Sequence, residues 1–268
     1  MSKNLYIVPY DFTEVSEKAL EYALHLGKHV AAEIQLVHLA KDKAKGMAKV
    51  KLLEDVKNKL SIPDGVEIST LVKVGDIFTD IGKLAKKEKA QLIIMGTHGA
   101  SGMQWLFGSF AMKVLKSSEC PFLIIQKNSP IKEIERLVVA IDQTKESMQI
   151  VSTAGDMSKI MNCELNVIAE KQTDPLLNSR IKNRIGIIEK EYEERGIEAT
   201  IEFVPKNGNY AKKIMKYTRE KHVGLIALAY HTESLFPMFD TFAQKIITNK
   251  DALPVLIVNS KLASALYY

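Results

Sequence analysis

Short, uninterrupted apolar runs alternate with amphipathic stretches through the first half of the chain. Residues 5–9 read as a strand, and residues 14–30 carry Ala19, Leu20, Ala23, Leu24 and Leu26 at helical spacing. Residues 34–39 read as a second strand and 47–60 as a second helix. Strand 68–74, helix 77–88 and strand 92–95 follow, then a helix over 109–117 and a fifth strand over 122–125 behind Pro121. The strands lack polar alternation, so both of their faces are expected to be covered. That pattern predicts a parallel sheet with helices on each side, doubly wound through right-handed crossovers.

The pattern restarts after the polar stretch Lys127-Asn128-Ser129-Pro130, which reads as a linker. Residues 137–142 echo residues 5–11, with Asp142 lying 131 positions after Asp11. Gly208, Ala229 and Pro254 each lie 133 positions after Gly75, Gly96 and Pro121. Landmarks at a nearly constant offset and in one order mark a tandem duplication. The expected domains are residues 1–128 and 134–260, each a five-stranded α/β unit.

Composition narrows the function classes. In 268 residues, 37 basic and 32 acidic side chains give a formal charge of +5, with 46% hydrophobic residues. This is the make-up of an ordinary globular chain. The lysines of residues 41–59 alternate with apolar residues and have no aromatic residues among them, so they read as a solvated helix face, not a nucleic-acid surface. Cys120 and Cys163 are too few for a disulfide framework, and no run is long and apolar enough for a membrane span. The residues before the first strand leave no room for a signal peptide. A cytoplasmic protein that binds neither nucleic acid nor membrane is expected.

The richest chemistry lies in residues 95–109. An apolar strand runs into a loop with glycines at 96, 99, 102 and 108, and a helix is expected to open at Ser109. Strand, glycine loop and helix N-terminus in that order let backbone N–H groups converge on an anion. In an open parallel sheet, ligands sit beyond the carboxyl ends of the strands where the strand order reverses. Asp11, His38, Gly75 and Gly96 all lie at such ends and are expected to face one crevice. Each also has a structural reading: Asp11 or Thr13 as a helix cap, Gly75 as a turn, and the loop glycines as loop geometry.

In the second half the corresponding positions are Ala229, Thr232 and Asp240-Thr241. An aspartate at a helix start caps well but repels phosphate, so a degenerate copy without nucleotide is expected there. The apolar loops 103–107 and 235–239 need cover, by the chain's own helices, a second copy or a partner protein. His98, His231 and Glu233 do not make a ligand set, so no metal is expected. The cysteines read as packing residues, and no Ser-His-Asp order, paired-carboxylate motif or complete P-loop is present.

These residues resemble the universal stress protein family in its tandem form. The resemblance is carried by residues 8–13 with Ser16 and Ala19-Leu20, by Leu36-Val37-His38, by Gly75-Asp76, and by the run 95–109 with its proline-led strand. It covers residues 1–127 and, more weakly, 136–258. It implies two adenine-nucleotide-binding-type α/β domains paired along their fifth strands. It implies that Asp11 and the backbone of 37–39, including His38, meet adenine, and that Gly96 and Gly99 let the chain approach ribose and phosphates. Gly108, Ser109 and the Phe110 N–H would bind phosphate. The family pattern has nine residues between its second and third glycines; here eight separate Gly99 from Gly108, and the helix opens Ser109-Phe110-Ala111. Two readings stay open: a stress-response binding protein with at most one ATP or AMP site, in the first domain, or a scaffold acting through protein contacts alone. A hydrolase or ligase ranks last, because no catalytic base or metal clamp is present. The chain is not expected to be an enzyme, with weak ATP hydrolysis left open.

Overall fold

The computed structural model describes residues 4–97, 113–142, 144–230 and 238–260. The chain divides into two units, Met1–Ile131 with Lys250–Ala252, and Lys132–Asn249 with Leu253–Tyr268. In the first, β1 (Asn4–Pro9), α1 (Glu14–Gly27), β2 (Ala32–Ala40), α2 (Lys43–Asn58), β3 (Val66–Val74), α3 (Ile77–Glu88), β4 (Leu92–Thr97) and β5 (Phe122–Gln126) alternate as the hydrophobic pattern predicts. Every pairing is parallel, in the order β3-β2-β1-β4-β5. The order reverses between β1 and β4, which sets their carboxyl ends beside each other. Residues 113–115 are helical; the rest of the helix expected over 109–117 up to residue 112 lies outside the described residues.

The second unit repeats the plan. After β6 (Arg136–Ile141) a 3₁₀ turn at Glu146–Gln149 leads into α4 (Ile150–Met161). Then come β7 (Glu164–Glu170), α5 (Pro175–Glu194), β8 (Ala199–Val204), α6 (Tyr210–Glu220), β9 (Leu225–Tyr230), α7 (Met238–Ile247) and β10 (Val255–Asn259). The order β8-β7-β6-β9-β10 is again wholly parallel. The chain is thus two doubly wound five-stranded α/β units related by tandem duplication.

Burial follows from this layering. The central strands are covered on both faces, so Ile7, Val8, Ile93, Ile94, Val138, Val139, Ala227 and Leu228 are all buried. The helices start where side chains cap them: Asp42 Oδ1 accepts the Lys45 N–H at 2.9 Å, which begins α2 four residues before the expected residue 47. Asp76 Oδ1 accepts from Phe78 N at 2.7 Å, and Asp174 Oδ1 from Leu177 N at 2.9 Å. Among the described residues no helix is long and apolar enough to cross a membrane.

One buried amide ties α7 to β10. Asn249, 3% exposed, donates from Nδ2 to the carbonyls of Ile246 and Leu253, each at 2.9 Å, and accepts the Leu253 N–H at 2.9 Å. Asn249→Ala leaves buried backbone groups without these partners, which is expected to cost about 3 kcal/mol. Urea denaturation checks this; an unchanged midpoint would show that the amide does not hold the turn.

Candidate functional site

The carboxyl ends of β1, β2 and β4 and the loop after β3 enclose a cavity of about 340 Å³ in the first unit. Tyr10, Asp11, His38, Gly75 and Gly96 line it. Of the expected ligand-holding residues, Asp11, His38 and Gly96 therefore share one crevice. Gly99, Gly108, Ser109 and Phe110 lie outside the described residues, as do loop 103–107, residues 231–237 and the side chains of 238–240.

The β1–α1 corner is held by Asp11. Its Oδ1 accepts the Thr13 N–H at 3.1 Å and the Thr13 hydroxyl at 2.5 Å. Ser16 closes the helix start: its Oγ accepts the Thr13 N–H at 3.1 Å and its hydroxyl donates to the Thr13 carbonyl at 2.9 Å. Of the two expected caps it is Thr13 that stands at the N-cap; Asp11 holds Thr13 in place and is also exposed on the crevice rim. Between the two, Phe12 sits at φ 66°, in the left-handed region. For a bulky side chain this costs about 1–2 kcal/mol. Its ring meets Tyr10 edge-on at 5.3 Å and His38 at 5.2 Å, while Lys49 Nζ lies 4.6 Å from its centroid.

His38 has a fixed job as well. Its Nδ1 lies 2.8 Å from the Tyr10 carbonyl oxygen. A carbonyl can only accept, so Nδ1 carries the proton, and the neutral ring keeps its lone pair on Nε2. The Tyr10 N–H in turn donates to the Val37 carbonyl at 2.8 Å.

Gly96 is bare for a reason that the sequence did not disclose. A Cβ there would lie 2.0 Å from the Val15 carbonyl oxygen, so α1 can cross β4 only over a glycine. At Gly75 a Cβ would meet the Asp80 carboxylate at 2.5 Å. That carboxylate accepts the Asp76 N–H at 2.8 Å, and this bond, with Lys83 nearby, holds it below its ordinary pKa.

Residues 6–126 match the universal stress protein family. A universal stress protein of Methanocaldococcus jannaschii is 32% identical over 151 residues, covering 49% of this chain and 87% of the relative. One from Bacillus subtilis is 29% identical over 147 residues, covering 46% and 99%. The chain belongs to the universal stress protein family. The crystal structure of a universal stress protein from Archaeoglobus fulgidus superposes with a TM-score of 0.77 at 21% identity, covering 97% of this chain and 100% of that one. At that identity the likeness speaks for the fold, and it spans both units.

The second unit keeps the corner and changes the crevice. Asp142 Oδ1 accepts the Thr144 N–H at 2.7 Å and the Thr144 hydroxyl, and the Ser147 hydroxyl donates to the Thr144 carbonyl at 2.9 Å. The cavity here, about 480 Å³, is lined by Asp142, Glu170, Tyr210, Ala229 and Phe242. Tyr210 takes the place of Ile77, 133 residues earlier. Its phenol oxygen lies 2.9 Å from the Ile141 carbonyl and 2.8 Å from the Ile168 carbonyl. One hydroxyl proton thus serves two acceptors. Its ring stacks on Phe242 at 5.3 Å with 13° between the planes, and Lys213 pairs with Glu170 beside it. Sequence reasoning missed Phe12 and Tyr210. The repeat offset flags Tyr210, since it aligns a tyrosine with an aliphatic residue at a helix start.

The cysteines are placed as packing residues. Burial pushes the Cys120 thiol up to about 12, and its Sγ donates to the Ala90 carbonyl at 3.3 Å. Burial likewise raises Cys163 to about 11. Neither supplies a thiolate near neutral pH.

Gly96→Ala is expected to destabilise the protein by about 1–3 kcal/mol in the absence of any ligand, because backbone must move to admit the methyl. A ligand-free melting curve that matches the parent would refute this packing role. The tyrosines give a pH signature. Desolvation raises Tyr210 well above its usual 10.0 and Tyr6 to about 12. Their folded pKa values exceed the unfolded ones, so their stabilising contribution is complete below pH 10 and is lost as pH rises through the folded values. Urea midpoints should therefore fall progressively above pH 10, and a flat profile to pH 12 would contradict the burial of these phenols.

Proposed function

We propose that the chain is a cytosolic stress-response binding protein that holds one adenine nucleotide, ATP or AMP, in the crevice of its first unit. The observation that carries this reading is the convergence of Asp11, His38, Gly75 and Gly96 on one cavity of about 340 Å³, directly before the glycine loop of residues 96–108. The base lies against the backbone of residues 37–39. The phosphates run toward Gly99 and the N–H groups of Gly108, Ser109 and Phe110, where the sequence predicts a helix start whose dipole would favour negative charge. Lys41 lines the same cavity and adds a cation to it. No metal of the protein's own is needed, and no step of catalysis is assigned.

The second unit takes no nucleotide in this reading. Its cavity is the larger, so space does not decide the matter. Chemistry supports the reading: the Tyr210 phenol already engages the Ile141 and Ile168 carbonyls, and in the sequence repeat Asp240 corresponds to Gly108. Ligand state in the first unit biases contacts with a second copy or a partner protein through the apolar segments 103–107 and 235–239.

A scaffold that works through protein contacts alone is the second reading. It is favoured because Asp11 and Gly96 each already have a job in the fold, holding the β1–α1 corner and admitting the helix.

Calorimetric titration with ATP and with AMP, with and without Mg²⁺, separates the two. The nucleotide reading expects one site per chain, abolished by Gly108→Asp and kept in Asp240→Gly. The absence of heat with both nucleotides, together with no adenine compound released on denaturing the purified protein, leaves the scaffold.

A further inference from the structure

We propose that Phe12 is the positioning residue of the first crevice: held in left-handed backbone, it fixes the imidazole of His38 in the crevice wall and so sets what that wall offers a ligand. For its effect on nucleotide affinity this rests on the nucleotide reading above; the orientation of His38 stands apart from it. Phe12 adopts φ 66°, a conformation that suits glycine or asparagine and not a phenyl side chain. A bulky residue keeps such a backbone only where its surroundings over-determine it, and these positions gather at functional sites.

The surroundings are specific. Asp11 on one side and Thr13 on the other are locked together by the carboxylate's two hydrogen bonds, so the corner cannot relax without breaking the α1 start. This turns the Phe12 ring onto two rings of the crevice wall, Tyr10 at 5.3 Å and His38 at 5.2 Å. Lys49, from α2, covers it with Nζ at 4.6 Å. His38 is then held at two points. Its Nδ1–H is bonded to the Tyr10 carbonyl, and its ring is buttressed by the Phe12 ring, tilted 56° to it. What remains for a ligand is Nε2, an acceptor in the neutral ring. A hydrogen bond alone lets an imidazole pivot about the bonded nitrogen, and the phenyl contact removes that freedom. Phe12 therefore acts through His38 and is not itself assigned a contact with the nucleotide.

The test uses the full chain and two readouts. Long-range ¹H–¹⁵N spectra report the tautomer and ring environment of the six histidines, and the His38→Gln spectrum assigns the His38 signals. Phe12→Gly removes the ring and accepts the backbone, and Phe12→Asn does so with a side chain that tolerates the left-handed region. Phe12→Tyr keeps the ring. The proposal expects both ring-deleting variants to fold with a melting temperature equal to or above the parent, to shift or broaden the His38 signals, and to bind ATP about tenfold more weakly. Phe12→Tyr restores both signals and affinity. If the His38 signals of the ring-deleting variants match the parent, the proposal is overturned, whatever ATP does. If the signals move and ATP affinity does not, the control of ligand selection is overturned. If the parent itself binds no ATP, the nucleotide reading falls and the histidine spectra still decide the positioning role.

Discussion

Both units depend on the same small corner, in which an aspartate at the end of the first strand accepts the N–H and the hydroxyl of a threonine two residues on. Asp11 and Thr13 make it in one unit, Asp142 and Thr144 in the other, and Ser16 or Ser147 closes the helix or 3₁₀ start behind it. The corner turns the chain away at the carboxyl end of the central strand, beside the point where strand order reverses. A depression must form there, because neighbouring connections depart to opposite faces of the sheet. The crevice is thus a consequence of topology, and the corner fixes its rim. The side chains that enter it are free to differ.

They do differ, at one carbonyl. The last residue before the corner, Tyr10 or Ile141, presents a carbonyl oxygen that needs a donor. His38 supplies it from β2 in the first unit; Tyr210 supplies it from the start of α6 in the second. The imidazole lies along the wall it belongs to. The phenol reaches across, takes the Ile168 carbonyl as well, and brings its ring onto Phe242. The same backbone requirement is met in two ways, and in the second the donor also takes a carbonyl of the adjacent strand.

The fold was legible because each strand is a short apolar run and each helix an amphipathic one, and because the two halves repeat at a fixed offset. Element ends were read less well. α2 starts at Lys43 because Asp42 caps it, and residues 43–46 carry almost no apolar signal. The convergence of Asp11, His38, Gly75 and Gly96 was legible from their places at strand ends, while their individual roles were not. Gly96 reads in sequence as a glycine for ligand approach, and the Val15 carbonyl above it explains it without any ligand. Phe12 gives no warning of a positive φ, since nothing in a phenylalanine favours it; the conformation is imposed by the bonds of its neighbours. The bonds of His38 and Tyr210 join residues distant in sequence, and no local pattern encodes them.

The central proposal is that the first crevice, and not the second, holds an adenine nucleotide, the Tyr210 phenol that lines the second being tied to two strand carbonyls. A crystal structure of the full chain grown with saturating ATP tests it most directly. The account predicts nucleotide density in the first unit, with the base against residues 37–39, and the Tyr210 phenol still on its two carbonyls in the second. Nucleotide in the second crevice with Tyr210 displaced, or nucleotide in neither, would contradict it.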